Sequence, residues 1–418
     1  MTTSMIPRHL DPQAILGQFP TLSKAESGGG VIYFDNAGGS QMPRVVADAM
    51  HDYMLQSYVQ LGADYPMSRK CTQVVEDAHT FINLFMNGTD TGKVILGSSC
   101  TQHLFMLAEC YAQVMRKGDE IIISRMGHDA NVCPWKRMEQ RGFTIRMWEI
   151  DTETYSCPLE QLETLLSDRT RIVALPHVSN MLGGIVNVKA VAQIAHRVGA
   201  RVVVDGVAYA SHRAIDVSGW DIDWYIYSTY KVYGPHMSAM YGKQSALEEI
   251  TGPNLDFIPK GEIPYKFELG GVNHEGCAGL LALGKYLNFL TGRDADDLCD
   301  RQTIEEAYDI ITALELPLQQ RIIGYLLSKP GVSVVGPNHG EASRVATICF
   351  RSESVSSAKI NAAICRANIG ARHGHMYAPG LCEKLGIDLS DGVARVSLLH
   401  YNTMEEVERL IEVLEEIL

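Results

Sequence analysis

The sequence DIDWYIYSTYKVYGPHMSAMYG, Asp221–Gly242, carries the pattern from which the architecture of this chain is inferred. Two apolar runs, Trp224–Tyr227 and one through Met237 and Met240, flank a polar turn, which predicts strand, tight turn, strand. The turn contains Lys231. Burying a lysine costs free energy unless its amine is paired or used, and burial lowers its pKa, as a Schiff-base lysine requires. Alternatively, Lys231 reaches solvent from an ordinary loop.

A second apolar run lies upstream and ends in an acid. RVVVD, Arg201–Asp205, is rich in β-branched residues and predicts a short strand. Open α/β sheets place ligand groups at the carboxyl ends of their strands, where Asp205 falls. A lysine for a Schiff base and an aspartate for a pyridine nitrogen are the two protein groups that the chemistry of pyridoxal phosphate (PLP) requires.

These two segments together resemble a known family. VVVDGVAYASHRAID, Val202–Asp216, followed by YSTYKVYGPHMSAMYG, Tyr227–Gly242, is similar to the cofactor core of class V aminotransferases of PLP fold type I. The cysteine desulfurase and selenocysteine lyase branch is the nearest, and the resemblance runs from about Tyr33 to the C-terminus. It implies PLP as cofactor and an α/β fold with a mainly parallel, seven-stranded type of sheet between helices.

Domain organisation is inferred from where the pattern of elements changes. Residues 1–30 are expected to be an N-terminal arm, and residues 31–290 a large PLP-binding domain. Strands and helices alternate between residues 94 and 242, which is typical of a parallel sheet covered on both faces. Residues 291–418 read as a smaller α+β domain, whose last helix begins with a capping box at Thr403. Gly62–Lys70 is expected to be a loop.

Composition limits the class of protein. The sequence has 418 residues and a formal net charge of −13, which argues against nucleic acid or anionic membranes as partners. No apolar run approaches the roughly 20 residues of a membrane span, and the N-terminus lacks the apolar segment of a signal peptide. Ten scattered cysteines without metal-ligand spacing indicate reduced thiols. We therefore expect a cytoplasmic protein with no metal.

A serine-rich turn is the candidate phosphate site. Gly97-Ser98-Ser99-Cys100-Thr101 opens a predicted helix. Its hydroxyl groups are explained equally well as N-caps or as phosphate ligands beside free N–H groups. The resemblance implies the second role for Ser98, Ser99 and Cys100: Ser99 keeps the hydroxyl of the family's threonine, and Cys100 replaces the glutamate that usually follows.

The resemblance also assigns roles around the pyridine ring. His128 matches the histidine that stacks on the ring, and its imidazole could also carry protons. Asn180 matches the asparagine beside the 3′-oxygen. The alternatives are a loop histidine without function and a turn asparagine.

Three further positions bear on the phosphate. Ser228 matches a phosphate ligand of the family, and Tyr230 stands where desulfurases have a histidine, so its phenol could still donate a hydrogen bond. Gly271 occupies the position from which relatives give a threonine to the neighbouring subunit, which leaves only a backbone contact. The resemblance therefore implies a homodimer with shared active sites.

The candidate substrate residues lie near both ends of the chain. Arg395 matches the arginine that grips the α-carboxylate, because guanidinium offers two parallel donors; a salt bridge at a strand edge is the alternative. Arg372 could supply a second guanidinium for a side-chain carboxylate. The resemblance implies that the segment containing Asn36 lies at the substrate side of the pocket. Tyr377 stands in place of the desulfurase cysteine, and a phenol cannot form a persulfide.

These residues predict a PLP-dependent enzyme acting on an amino acid, with Lys231, Asp205 and His128 as its catalytic groups. Lyase, decarboxylating C–C bond-forming or aminotransferase-type chemistry is expected. A cysteine or selenocysteine lyase and an epimerase are the alternatives. A non-enzymatic protein on the same fold is a third, which the retained catalytic groups disfavour.

Overall fold

The computed structural model describes residue 7 and residues 10–23 and 30–418. Of the 30 residues of the predicted N-terminal arm, the 14 at positions 1–6, 8–9 and 24–29 lie outside these residues. The helices are α1 (Pro12–Leu16), α2 (Arg44–Gln56), α3 (Pro66–Phe85), α4 (Cys100–Val114), α5 (Cys133–Lys136), α6 (Leu159–Leu165), α7 (Val188–His196), α8 (Val217–Trp220), α9 (Gln244–Glu249), α10 (His274–Thr291), α11 (Arg301–Ser328), α12 (Ser357–Arg366), α13 (Pro379–Lys384) and α14 (Met404–Glu415). The strands are β1 (Ile32–Tyr33), β2 (Gly92–Gly97), β3 (Glu120–Ser124), β4 (Thr144–Trp148), β5 (Thr170–Pro176), β6 (Arg201–Asp205), β7 (Trp224–Ser228), β8 (Ser238–Lys243), β9 (Val332–Val335), β10 (Thr347–Ser352), β11 (Ile369–Gly370), β12 (Arg372–Gly374) and β13 (Val393–Ser397).

A seven-stranded sheet forms the centre of the larger part of the chain. Its order is β2-β8-β7-β6-β5-β3-β4, and only β8 runs antiparallel to its neighbours. The predicted fold class is therefore confirmed. In a parallel sheet the carboxyl ends of the strands meet at one edge, so the segments that follow β3, β5, β6 and β7 all emerge together.

Both faces of this sheet are buried under helices. Val202 and Val204 of β6 pack into one apolar cluster, and Val203 between them packs into the other. Because successive strand residues point to opposite faces, a run of β-branched residues such as RVVVD suits a strand covered on both sides. The sheet is therefore a rigid platform for the loops at its edge.

The C-terminal part contains a second, antiparallel sheet of order β12-β13-β10-β9. The last half of α11, together with α12 and α14, packs on it in a separate apolar cluster. The first half of α11 packs instead on the core of the large sheet, through Ile304 and Tyr308. The short strand β1 pairs in parallel with β11, which brings the segment after Tyr33 to the junction of the two sheets. The domain limits at residues 30 and 290 stay predictions.

Local structure departs from expectation at two places. The predicted loop Gly62–Lys70 is wrong from Pro66 onward, because α3 begins there and a proline is well suited to the first turn of a helix. The connection between β7 and β8 is longer than a tight turn and begins with a 3-10 turn, Thr229–Lys231.

The capping box at Thr403 is confirmed, with reciprocal hydrogen bonds to Glu406. Among the helices of the described ranges, none has the length and apolar character needed to cross a bilayer.

Candidate active site

Four predicted side chains lie just beyond adjacent strand ends. Asp205 is the last residue of β6, and Lys231 follows β7, which pairs with β6 in register. His128 follows β3 and Asn180 follows β5. All four line one small cavity, here called the inner cavity. It shares His128, Asn180 and Lys231 with an adjoining cavity of about 630 Å³, here called the outer cavity.

Lys231 is held between the two cavities. Its Nζ donates a hydrogen bond of 2.8 Å to the backbone carbonyl oxygen of Ala37. Burial lowers the pKa of Lys231 to about 8, and the positive charge of Arg395 acts in the same direction. An amine with this pKa is partly unprotonated near neutrality and is therefore available as a nucleophile or a base.

Asp205 is buried at the floor of the inner cavity, with 5% of its surface exposed. Its Oδ1 accepts a hydrogen bond of 3.0 Å from the backbone N–H of Val207. Burial raises the pKa of this carboxyl, while the Val207 N–H and the charge of Lys231 oppose the rise. A buried carboxylate with so little compensation is costly unless a cationic group pairs with it.

His128 presents a neutral ring to both cavities. Its Nδ1 accepts a hydrogen bond of 3.0 Å from the backbone N–H of Ala130, so the proton of the neutral imidazole is assigned to Nε2. Burial lowers the pKa of His128 to about 4, helped by the charges of Lys231 and Arg395. The ring centroid lies 5.4 Å from that of Tyr377, with the planes tilted by 31°.

The start of α4 borders the inner cavity with backbone as well as side chains. Cys100 and Thr101, the first two helical residues, both line it. N–H groups in a first turn lack intrahelical partners and favour anions. Burial raises the pKa of the Cys100 thiol well above its usual value, with Asp205 adding to the effect. Thr101 belongs to the predicted phosphate turn but was not singled out there, although its hydroxyl at a helix start was a usable signal.

The two serines of this turn contact different parts of the structure: Ser99 caps α4, and Ser98 lines another pocket. Ser99 is the N-cap of α4, and its Oγ accepts a hydrogen bond of 3.2 Å from the N–H of Gln102. Ser98 is exposed and bonds the side chain of Gln102. Ser98 lines a different pocket, which it shares with Gly271. Within one chain, Ser98 and Gly271 therefore lie outside both cavities.

Ser228 and Tyr230 complete the wall of the inner cavity opposite α4. Ser228 is buried at the end of β7. The Tyr230 ring stacks on His236 at 4.8 Å between centroids, and the Lys231 Nζ lies 5.8 Å from the Tyr230 centroid. Burial raises the pKa of Tyr230, so its hydroxyl stays a hydrogen-bond donor at neutral pH.

The two predicted arginines meet at an aspartate that the sequence reading overlooked. Arg372 and Arg395 line the outer cavity. Asp35 accepts hydrogen bonds from Arg372 Nε at 3.1 Å and Nη2 at 2.6 Å, and its Oδ1 lies 3.1 Å from Arg395 Nη2. Arg395 Nη1 also donates to the carbonyl oxygen of Asn180 at 3.4 Å. The carboxylate of Asp35 thus joins both guanidinium groups.

Asn36 differs from its expected role. Its amide donates to the carbonyl oxygen of Ser397 at 2.8 Å and to Asn402 Oδ1 at 3.2 Å, and its oxygen accepts from the Tyr401 hydroxyl. It is buried and does not line the outer cavity. Its amide is used by the Ser397 backbone and by the side chains of Asn402 and Tyr401, which anchor the turn after β1, so the structure supports a positioning role and not substrate contact.

Tyr377 lies at the mouth of the outer cavity and is 65% exposed. Both it and the preceding Met376 have left-handed backbones, with φ of 58° and 50°. Such conformations are uncommon outside glycine, and they hold the Tyr377 ring beside His128.

The cysteines are arranged differently from the desulfurase pattern. Cys382 has no exposed surface, and its Sγ packs 3.8 Å from the Met181 Sδ, away from both cavities. Cys133, at the start of α5, lines the outer cavity. It was missed in the sequence because nothing local distinguishes it from a core cysteine.

The residues present fit PLP. Besides the buried Asp205 and the free helix start, Asn180 contributes a side-chain Oδ1 that is buried without a partner among the described residues. Its Nδ2 donates to the carbonyl oxygen of Met376 at 2.6 Å. A polar atom left unpaired in a cavity wall is expensive unless a ligand satisfies it.

Residues 32–410 match the family model described as Aminotransferase class-V. The chain therefore belongs to the class V aminotransferase family, and it is a PLP-dependent enzyme of that family, as the sequence predicted. It is 37% identical over 415 residues to the aminotransferase-like protein FGM3 of Gibberella zeae, a match that covers 97% of this chain and 98% of that protein. It is 33% identical over 417 residues to the nonribosomal peptide synthetase-like enzyme fsqF of Aspergillus fumigatus, covering 96% of this chain and 26% of that larger protein.

Solved structures of cysteine desulfurases share the fold. The structure is similar to that of the cysteine desulfurase CsdA from Escherichia coli, with a TM-score of 0.80 and 25% identity over 97% of this chain and 98% of that one. The cysteine desulfurase of Thermococcus onnurineus gives a TM-score of 0.84 at 25% identity, again over 97% of this chain and 98% of the other.

Proposed function

We propose that this protein holds PLP covalently on Lys231 and uses it to transform an amino acid. The observation that carries this proposal is that Lys231 and Asp205 follow the ends of paired strands and line one cavity. When bound, PLP supplies an electron sink for cleavage of a bond at the substrate Cα.

The chain's own residues take distinct parts in this proposal. Asp205 keeps the pyridine nitrogen protonated, which in turn compensates the buried carboxylate. The neutral His128 ring would hold the pyridine ring from the cavity wall, and the unpaired Oδ1 of Asn180 would be available to a polar group of the cofactor. The first turn of α4, with Ser99 as its cap, together with Ser228 and Tyr230 would hold the phosphate. The Lys231 amine, with its lowered pKa, would hold or move the proton at the substrate Cα.

The outer cavity receives the substrate. Arg395 is proposed to bind the α-carboxylate, because this buried guanidinium keeps unused N–H groups after its bonds to Asp35 and Asn180. Tyr377 packs on the substrate side chain at the cavity mouth. Lyase, C–C bond-forming, decarboxylating or aminotransferase-type chemistry is proposed on this basis.

A cysteine or selenocysteine lyase is the second candidate. It is favoured by the desulfurase relatives, among them one from Synechococcus elongatus that is 30% identical over 437 residues, covering 98% of this chain and 66% of that protein. It is also favoured by Cys133 in the outer cavity wall. The position of Tyr377 favours a reaction without a persulfide.

We further propose a homodimer that completes its sites across the interface. The segment around Gly271 borders the same surface pocket as Tyr58. Two segments of the chain that contribute to this pocket or lie close to it in sequence, residues 54–67 and 255–269, carry large exposed apolar side chains. These are Met54, Leu55, Tyr58, Leu61, Tyr65, Met67, Leu255, Phe257, Tyr265 and Leu269. Exposed apolar side chains in such number are typical of an interface. A cytoplasmic location stays a prediction.

Reduction with borohydride followed by peptide mapping tests the cofactor assignment. Lys231 is expected to carry the label, and Lys231→Ala to lose both the label and turnover, whereas Lys93→Ala, on the exposed part of β2, keeps both. Label on any other lysine refutes the assignment. A panel of amino acids added to the cofactor-loaded protein, followed by absorbance and product analysis, then identifies the reaction.

A further inference from the structure

The pairing of Arg372 with Arg395 requires an explanation. β12 and β13 are antiparallel, and these two arginines lie directly opposite each other in register. Like charges at opposed positions of neighbouring strands repel each other. Arg395 is also 4% exposed, and a buried cation without a partner is costly. The chain therefore needs a negative charge at this point.

Asp35 supplies that charge from a distant part of the sequence. Its backbone forms a parallel bridge with Ser397, the last residue of β13, which fixes the carboxylate beside both guanidinium groups. It binds Arg372 through two nitrogens and Arg395 through one. Two arginines and one aspartate leave a net charge of +1 at the wall of the outer cavity.

We propose that Asp35 sets the substrate class: amino acids whose only carboxylate is the α-carboxylate. One excess positive charge matches one carboxylate at Arg395. A side-chain carboxylate finds Arg372 already neutralised, and the remaining charged lining residue outside the cofactor region is Asp129, which repels it. The substrate side chain is accordingly neutral or cationic. This inference rests on the proposed function, because it assigns the outer cavity to an amino acid.

Asp35 acts here as a positioning and specificity residue and contacts the substrate only through the arginines. The alternative is a purely structural salt bridge that orders β12 and β13. The two roles are separated by charge selectivity, because a structural role changes stability without changing the ratio of affinities for ligands of one and two carboxylates.

The test uses the protein loaded with PLP and reduced with borohydride, so that no turnover occurs. Pentanoate and glutarate, which have the same chain length and differ by one carboxylate, are titrated by calorimetry. In the wild type, glutarate is expected to bind no tighter than pentanoate. In Asp35→Asn, Arg372 is freed, and glutarate should bind tighter than pentanoate by about tenfold, as expected for one added charged hydrogen-bonded contact.

Matched variants complete the test. The double variant Asp35→Asn with Arg372→Gln restores the net charge of +1 and should return the ratio of glutarate affinity to pentanoate affinity to that of the wild type. Asp168→Asn, which changes an exposed aspartate, should leave this ratio unchanged. Arg372→Gln alone should weaken pentanoate about tenfold, which keeps the test open if Asp35→Asn does not fold. Tighter glutarate binding by the wild type, or an unchanged ratio in Asp35→Asn, overturns the inference. Covalent PLP is measured before any ligand is added, so its absence refutes the proposed function instead.

Discussion

The Lys231 amine donates its hydrogen bond to the backbone carbonyl oxygen of Ala37, 2.8 Å away. Ala37 belongs to the turn after β1, and its own N–H donates to Ser397 Oγ at 2.8 Å. The same turn carries Asp35, which joins Arg372 and Arg395. One short segment therefore sets the position of the proposed cofactor lysine and of the proposed carboxylate receptor, and a shift of this turn alters both.

The low pKa of Lys231 predicts how cofactor uptake depends on pH. Only the unprotonated amine attacks the cofactor aldehyde, and burial lowers the pKa of Lys231 from the ordinary lysine value of 10.5 to about 8. The rate of covalent PLP uptake by cofactor-free protein should therefore rise with pH and level off above a midpoint near 8. Stopped-flow absorbance measures this rate. A midpoint near that of an ordinary lysine contradicts the burial seen here.

Asp205→Asn is expected to separate stability from function. Burial raises the pKa of the Asp205 carboxyl in the folded protein. The ionised carboxylate therefore destabilises the fold. This cost grows as the pH rises above the pKa of the unfolded chain and is fully present above the pKa of the folded protein. At neutral pH the cofactor-free Asn variant should therefore be more stable in urea denaturation than the wild type. The PLP-loaded variant should lose most turnover, because an amide cannot hold the pyridinium proton.

The control for this prediction is Asp168→Asn, which removes a charge at an exposed position. It should change neither stability nor turnover appreciably. Turnover of Asp205→Asn at the level of the wild type would overturn the role given to this carboxylate.

Sulfur chemistry through a persulfide is not expected. Tyr377 stands at the cavity mouth, and Cys382 is buried away from it. Burial also raises the pKa of the Cys100 thiol, which opposes formation of a thiolate. Incubation with L-cysteine followed by intact mass analysis should show no adduct of about 32 Da, the mass of one added sulfur on a thiol.

Three variants locate any exception to this expectation. Turnover on the substrate found in the amino-acid panel should survive Cys100→Ala, Cys133→Ala and Cys382→Ala, each tested separately. A sulfur adduct on one of these residues, formed as fast as alanine is released from L-cysteine, would establish a desulfurase, and Cys133 is the residue that the cavity wall offers for it.

Dimer formation is predicted to depend on the exposed apolar side chains near Gly271. Leu55 and Tyr58 are 73% and 71% exposed, and replacing both by glutamate should place unpaired charges in an apolar interface. Light scattering should then report the monomer mass. Leu298→Glu is the matched control, because Leu298 is 85% exposed and lies outside this group. A wild-type monomer that retains PLP and turns over would contradict the shared site.

Periodicity was sufficient to predict a parallel sheet covered by helices on both faces, with Asp205 at the end of one of its strands. Apolar runs such as RVVVD predict buried strands, and in a parallel sheet residues that follow different strands converge at one edge whatever their separation in the chain. For that reason the sequence pattern alone placed Asp205 and Lys231 at one sheet edge, whereas His128 and Asn180 were assigned to the same site by the family resemblance. The pattern of apolar and polar residues along the chain therefore indicates which strands are buried and which residues stand at their ends.

Packing alone decided which side chains meet between distant segments. Asp35 lies 337 positions from Arg372 and 360 from Arg395, and no local pattern encodes their contact. The same packing uses the Asn36 amide for backbone support and brings Cys133, not Cys382, to the cavity wall. Burial patterns specify which face of an element is covered, but the partner that covers it depends on how the two sheets and the turn after β1 come together in three dimensions.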